Sequence, residues 1–343
     1  MPTADPHVKT EKRGSLGLLT LDRPQALNAL THGMINAIAG QLQAWAGDNT
    51  IKTVAIRGAG SRAFCAGGDI RAVQQAALCG HPEQGAALLR DEYRMNALIG
   101  AYPKPYVALL HGITMGGGAG ISVHGRTRLA DASLDFAMPE TGIGFIPDVG
   151  SSYFLSRLPD RIGLYLGLTG ARIGLGDALD AGLVTHGVAA ANFDAVLDAL
   201  ADGRNFASFT FKPGPGPLRA HRGRIAAIFS ASSVEAILER LDRDGSDFAQ
   251  GAARTIRTRS PTSLKLVLRQ LHEAGQLDLR QCLAMEFRLA ARLLQSHDFC
   301  EGVRAALVDK DKNSHWQPSS LAAVRNLDSY FALLKDEELF NAG

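Results

Sequence analysis

The chain has 343 residues, 46% of them hydrophobic and 20% charged, a balance that suits a large globular core and excludes disordered or fibrous classes. Thirty-six Lys and Arg stand against 34 Asp and Glu, a formal net charge of +2, so the clustered basic surface of a nucleic-acid binder is not expected. No apolar run nears the ~18 residues of a membrane span, and the start of the chain lacks an apolar signal core and carries Asp5 and Glu11.

Short β-like runs come first, at Leu16–Leu21, Thr53–Arg57, Tyr106–Leu110 and Thr127–Ala130. Helix-length segments rich in Ala, Leu and Gln, Asn28–Ala46 and Gly85–Ile99, lie between them, and the alternation predicts an α/β domain. Character changes after about Asn205. "FKPGPGPL" (211–218) cannot continue a helix or a central strand. Beyond it Ser232 and Glu235 have capping-box spacing, followed by Val234, Ile237, Leu238 and Leu241 at helical period. Leu283, Phe287, Ala290 and Leu294 make a second such stripe. Two parts are expected, a core over 1–205 and a mostly helical region over 206–343. Cys65, Cys79, Cys282 and Cys300 show neither a C-x-x-C nor a framework spacing, and no His, Cys and carboxylate cluster has metal spacing. A reduced, cytoplasmic protein without a metal is the expectation.

Two glycine-rich loops follow predicted strands. In "RAFCAGGDI" (62–70) the pair Gly67-Gly68 lets backbone approach a ligand, and a nearby amide, at Ala66, could face a pocket. By itself this is an ordinary strand-to-helix connection. "HGITMGGGAGISVHG" (111–125) enters a predicted helix through three glycines, leaving unpaired N–H groups for an anion. There is no G-x-x-x-x-G-K-[ST], no G-x-G-x-x-G spacing, and no G-x-S-x-G elbow around Ser122, which removes P-loop, dinucleotide and serine-hydrolase readings. His111 and His124 flank this loop as packing or hydrogen-bonding positions, and Cys65 reads as a small buried residue.

"FAMPETGIGFIPDVG" (136–150) sets Glu140 and Asp148 among apolar residues, glycine and proline, where a carboxylate is costly unless paired or used. Glu140 could cap its turn, and Asp148 precedes a predicted helix start, where Asp is a favoured N-cap. Glu92 lies in a charged helix start, "RDEYR", whose usual explanation is a solvated face.

Taken in order, "LDRPQALNAL" (21–30), "RAFCAGGDI", "GITMGGGAGISVHG" and "FAMPETGIGFIPDVG" resemble the enoyl-CoA hydratase/isomerase, or crotonase, superfamily. "MPETGIGFIPDVGSSYFLSRLP" and "HDFCEGVRAALVDKDKNSHWQP" (297–318) are similar to its 3-hydroxyisobutyryl-CoA hydrolase branch, and the resemblance spans about residues 15–320. It implies a crotonase-like spiral of strand-strand-helix turns with a C-terminal mostly helical region. It also implies hydrolysis of a short branched 3-hydroxyacyl-CoA thioester, with no cofactor beyond the coenzyme A of the substrate. Carried over by position, Ala66 and Gly117 would form the oxyanion hole, Glu140 would be the principal catalytic carboxylate, Asp148 the second, and Glu92 a contributor to the substrate pocket. Coenzyme A would lie along Gln25, Ala26, Leu27, Ala66, Asp69 and Ile70. The superfamily often forms trimers, so a homo-oligomer is left open.

Two departures inform the choice of branch. Hydratases of the superfamily carry a second glutamate where this chain has Gly120, which favours hydrolysis over hydration. A position often basic in the family is Gln25, which removes one salt bridge to coenzyme A phosphates. A hydratase or isomerase of the same fold is the first alternative, and a non-catalytic RNA- or ligand-binding relative the second.

Overall fold

Parallel strands buried on both faces require cover from helices on each side, and the apolar runs of this chain meet that need in the first of two units. The structure, a computed structural model, describes residues 4–78, 80–335 and 338–340; Cys79 lies outside these residues. The chain divides into one unit of Met1–Asp69, Arg94–Ala137 and Arg172–Arg219 and a second of Ile70–Tyr93, Met138–Ala171 and Ala220–Gly343. The boundary expected near residue 205 therefore falls inside the first unit. The chain leaves the sheet twice before its C-terminal helices, through 70–93 and 138–171, and both excursions cluster with those helices.

The first unit holds the strands β1 (Val8–Arg13), β2 (Leu16–Leu21), β3 (Thr53–Gly58), β4 (Ala63–Cys65), β5 (Tyr106–Leu110), β6 (Ile113–Met115), β7 (Thr127–Ala130), β8 (Asp135–Ala137), β9 (His186–Val188) and β10 (Thr210–Phe211). Seven form a sheet in the order β1-β2-β3-β5-β7-β9-β10, and β4-β6-β8 form a second, all parallel. The pairs β3/β4, β5/β6 and β7/β8 each send one strand to the large sheet and the next to the small one. These are the repeated strand-strand-helix turns that the sequence motifs imply.

Alternate residues explain the two faces. Leu16, Leu18, Val107 and Leu109 point one way and pack with Val196, Leu197 and Leu200 of the helix Phe193–Ala201. Gly17 points the other way, and a Cβ there would lie 2.7 Å from the Trp45 ring, so the helix His32–Gly47 lies close on that face. Each such buried Leu or Val contributes roughly 1.5–3 kcal/mol. β1, "VKTEKR", escapes a hydrophobicity reading because it is an exposed edge strand whose charges protect it from pairing with another chain.

The second unit is helical. Leu279–Leu293 starts at a capping box in which Asp278 accepts from the Gln281 amide while the Gln281 side chain returns to the Asp278 amide. Its expected stripe, Leu283, Phe287, Ala290 and Leu294, is buried. Val234–Asp244 also forms as expected, except that Ser233 rather than Ser232 caps it, accepting from the Ala236 amide at 3.1 Å.

Candidate active site

In the first unit the motif 21–30 does not enter a helix at Asn28 as its composition suggests. Pro24–Ala26 makes one 3₁₀ turn, then Leu27 and Asn28 take left-handed φ of 53° and 55°. Asn tolerates that conformation, and the fully buried Asn28 side chain fixes it by accepting from the Arg23 amide at 2.9 Å and donating to the carbonyls of Ala59 and Ala63. The turned-out Leu27 carbonyl accepts the Ala66 amide at 3.0 Å. Ala66 N–H is thus committed to a protein carbonyl, which corrects the sequence expectation that it faces a ligand. Two residues on, Gly68 bridges to Leu30 through the Leu30 amide to the Gly67 carbonyl and the Asp69 amide to the Leu30 carbonyl. Among the described residues, the Gly68 and Gly117 amides meet no protein acceptor.

The two glycine loops meet each other. A Cβ on Gly67, whose φ is 112°, would sit 3.7 Å from the Gly117 nitrogen, and one on Gly118 would strike the Cys65 carbonyl oxygen at 2.2 Å. Gly118 is therefore required by close backbone approach rather than by its dihedrals. Gly120 lies within the short helix Gly117–Val123, buried, with its amide on the Gly116 carbonyl. Of the expected coenzyme A positions, Gln25 is exposed, Ala26 and Leu27 share its turn, Asp69 pairs with Arg23 at 3.0 Å, and Ile70 opens the helix Ile70–Leu78.

In the second unit the stretch 138–150 is fixed from helices far along the chain. Glu140–Ile143 is a 3₁₀ turn ending at Gly144, φ 68°, where a Cβ would lie 2.1 Å from the Asp298 carbonyl oxygen. The Ser260 amide donates to the Thr141 carbonyl, and Gln270 Nε2 donates to the Pro147 carbonyl at 2.7 Å. Asp148 follows, then Val149 at φ 56° and Gly150 at φ 83°. A left-handed β-branched residue costs on the order of 1–3 kcal/mol and needs support from its surroundings. Glu286 gives it, accepting from the amides of Gly150 (2.6 Å) and Ser152 (2.8 Å) and from the Ser152 hydroxyl (2.5 Å).

Glu286 thereby satisfies amides at the start of the helix Ser151–Leu155, the task that sequence reading gives to Asp148. Asp148 makes no side-chain cap; its Oδ2 instead accepts from the Tyr93 hydroxyl at 2.6 Å. Tyr93 and Glu92 come from the helix Pro82–Gly100, and Glu92 is 2% exposed, so its charged neighbours in "RDEYR" do not mark a solvated face there. One oxygen each of Glu92 and Glu140, Oε1 and Oε2, is buried without a partner among the described residues.

Four carboxyl groups thus share a dry environment. Burial, then the charge of Asp148, pushes Glu92 up to about 8 and Glu140 well above the usual carboxylate range. Burial raises Asp148 to about 7, with the Tyr93 hydrogen bond working against it. Burial raises Glu286 to about 8, opposed by the bonds from Ser152 and Gly150. None of these shifts comes from a cation. Burial therefore favours the protonated form of each, and the Tyr93 hydroxyl works in favour of the anion at Asp148. Such a set can donate and accept protons near neutrality, which suits acid–base work on a polar substrate.

Glu140, Asp148 and Glu92 are thus brought together as electrostatic neighbours in one unit, while Gly117 and Ala66 lie in the paired loops of the other. Sequence reading missed Tyr93 and Glu286. A signal for Glu286 existed: it lies three residues after Leu283 and four before Ala290, a carboxylate on an apolar stripe. His111 and Cys65 are buried, and no group of His, Cys, Asp and Glu suited to a metal occurs among the described residues.

A profile described as enoyl-CoA hydratase/isomerase matches residues 16–331. The chain is 46% identical over 345 residues to the 3-hydroxyisobutyryl-CoA hydrolase, mitochondrial, of Xenopus tropicalis, covering 96% of this chain and 89% of that one. It is 44% identical to the human protein of the same name, covering 97% and 90%. Among solved structures it resembles a carnitinyl-CoA dehydratase from Mycobacterium thermoresistibile, with a TM-score of 0.94, 40% identity and coverage of 99% and 100%. It also resembles an enoyl-CoA hydratase from Rhodobacter sphaeroides 2.4.1, with a TM-score of 0.93, 38% identity and coverage of 97% and 99%. The cytoplasmic placement expected from composition is overturned: the hydrolases from both animals are named mitochondrial, and cysteine spacing with the lack of an apolar run bears on redox and membrane spans, not on organelle. With a profile match over most of its length and relatives this similar, the chain belongs to the enoyl-CoA hydratase/isomerase family.

Proposed function

We propose that this protein hydrolyses 3-hydroxyisobutyryl-CoA, a short branched 3-hydroxyacyl-CoA, to 3-hydroxyisobutyrate and free coenzyme A, a step of valine breakdown. The names of the relatives at 44–46% identity support the substrate. The observation that carries the chemistry is the buried quartet of carboxyl groups in which Glu140 and Asp148 are coupled. Glycine at position 120 supports hydrolysis over hydration, because water addition in this family employs a second glutamate there.

In the proposed mechanism the thioester oxygen is held by backbone amides as it becomes an alkoxide. Gly117 is one donor, and Gly68 replaces Ala66 as the other, since the Ala66 amide is occupied by Leu27. Asp148, whose anion is supported by the Tyr93 hydroxyl, takes the proton of Glu140. The Glu140 carboxylate then attacks the thioester carbon, the C–S bond breaks, and the departing thiolate receives that proton from Asp148. Asp148, ionised again, takes a proton from the water whose oxygen joins the acyl carbon and opens the mixed anhydride. That proton passes to the departing Glu140 carboxylate, so the hydroxy acid leaves and Glu140 is protonated as at the start. In the competing route Glu140 acts as base on water and no anhydride forms. The free oxygen of Glu92 is suited to the 3-hydroxyl of the substrate. Water is the only co-substrate, so no cofactor is needed. The same reading carries a homo-oligomer, checked by the mass of the protein in solution.

The deciding experiment is a thiol-release assay on 3-hydroxyisobutyryl-CoA and on enoyl-CoA substrates. Stoichiometric release of coenzyme A is expected; water addition to an enoyl-CoA without thiol release returns the protein to the hydratases. RNA binding without turnover of any acyl-CoA would return it to the non-catalytic relatives. Quenching a single turnover, followed by peptide mass analysis, separates the two routes, since the acyl group is joined to Glu140 only through the anhydride.

A further inference from the structure

We infer that Tyr93 and Glu286 are positioning residues that act through Asp148, Tyr93 by holding one of its oxygens and Glu286 by holding the left-handed turn that follows it. The inference rests on the role of Asp148 in the proposed hydrolysis. It rests on a geometry that the mechanism itself does not use. The Tyr93 hydroxyl donates to Oδ2 at 2.6 Å, which fixes the direction in which the carboxyl group points. Tyr93 is fully buried, with its ring edge-on to Phe287 at 6.1 Å between centroids, so the hydroxyl has one fixed direction.

Glu286 is next to Phe287 on the helix Leu279–Leu293, so one turn of that helix packs against Tyr93 and also binds Gly150 and Ser152. Val149 sits between those amides and Asp148 in a conformation a β-branched residue avoids. Three donors converge on the two Glu286 oxygens, so both oxygens are committed to the turn. Without that acceptor the Gly150 and Ser152 amides are buried and unpaired, the turn is free to relax, and Asp148 moves with it. The ionisable groups facing Asp148 are Glu92 and Tyr93 from Pro82–Gly100, Glu140 from its 3₁₀ turn and Glu286 from Leu279–Leu293, with Cys282 behind Glu286 near Ser152. Pro261–Ala274 presents the neutral Gln270 to the Pro147 carbonyl.

The test uses the full chain as Tyr93→Phe, Glu286→Gln, Asp148→Asn and the double variant Glu286→Gln/Asp148→Asn. The Asp148 carboxyl is titrated by ¹³C NMR on protein labelled in aspartate, with Asp148→Asn assigning the resonance. In Tyr93→Phe that titration moves up by roughly one unit, because a hydrogen bond to the anion is lost. The acid limb of kcat moves with it, so kcat falls about tenfold near pH 6, recovers at high pH, and leaves KM nearly unchanged. Glu286→Gln lowers kcat at every pH, and its effect disappears once Asp148 is already Asn, the non-additivity of residues acting as one unit. An unmoved Asp148 titration in Tyr93→Phe overturns the inference, as do kcat losses of Glu286→Gln and Asp148→Asn that multiply in full. The NMR titration needs no turnover. If the wild type releases no coenzyme A, the proposed hydrolysis fails by itself while the tie between Tyr93 and Asp148 is still decided.

Discussion

In the first unit the groups suited to chemistry are backbone amides, and neighbours close in the fold shape them. Leu27 turns its carbonyl to Ala66, Asn28 fastens that turn, and Gly118 lets its helix press against Cys65. In the second unit they are side chains, and their support comes from far along the chain: Glu286 holds Gly150 and Ser152 from 136 and 134 residues away, and Gln270 holds Pro147 from 123. The first kind of site has no charge to remove and is broken by adding atoms. The second is broken by removing a charge or a hydroxyl without changing shape. The contrast also separates their costs, since a glycine loop gives up conformational entropy whereas a buried acid cluster gives up solvation.

That difference orders the ways to perturb the molecule. Glu140→Gln removes the carboxylate with almost no change of volume, and kcat for thiol release should fall ~10²–10⁴-fold. Circular dichroism should show an unchanged fold, and near-wild-type turnover would remove Glu140 from the mechanism. Gly118→Val attacks the other kind of site by adding atoms. Its Cβ meets the Cys65 carbonyl, the Gly117 amide is displaced, and kcat/KM should fall ~10²–10³-fold although every carboxyl group remains. Full activity in this variant would mean that the glycine loops contribute no donor to the reaction.

Asn28→Ala tests the support of the first site rather than the site. It leaves the Ala59 and Ala63 carbonyls and the Arg23 amide without their partner, and urea unfolding should show a loss of about 2 kcal/mol. Glu92→Gln gives the smallest effect and the one that depends on pH. Folded Glu92 keeps its proton to about 8, whereas the unfolded chain releases it near its ordinary value of 4.5, so the native state binds more protons between those values. Stability from this group therefore falls as pH rises across that window. The variant, which has no such proton to lose, should melt roughly 2–4 °C higher than wild type at about pH 9 and equally with it near pH 4. An equal difference at both ends would show that Glu92 is not buried in the way the structure places it.

The two units also differ in how far they could be read beforehand. "RAFCAGGDI" and "HGITMGGGAGISVHG" announce tight backbone approach because glycine itself is the device; the alternation of apolar runs with helical segments predicted an α/β domain, and the repeated strand-strand-helix turns followed only from the family resemblance. Even there the Ala66 amide, expected to face a ligand, is taken by a protein carbonyl, since nothing in the string shows that Leu27 reaches Ala66. In "FAMPETGIGFIPDVG" the incongruity of acids among apolar residues singled out Glu140 and Asp148, and both are buried. Their partners were another matter. Asp148 before a helix start suggested a cap by local rules, but Glu286 took that place and left Asp148 to Tyr93.

The sequence by itself determined what is local or periodic: the strands β2, β3, β5 and β7, the helical stripes, the glycine loops, the carboxylates that had no business in a loop, and the family to which these motifs belong. Only the tertiary structure decided which amide is already spent, that residues 70–93 and 138–171 join the C-terminal helices, and that a glutamate on a late helix holds the turn after Asp148. The reason is physical. Periodicity and backbone freedom act over a few residues, whereas a buried polar group takes whichever partner the fold brings within hydrogen-bond reach, at any separation along the chain.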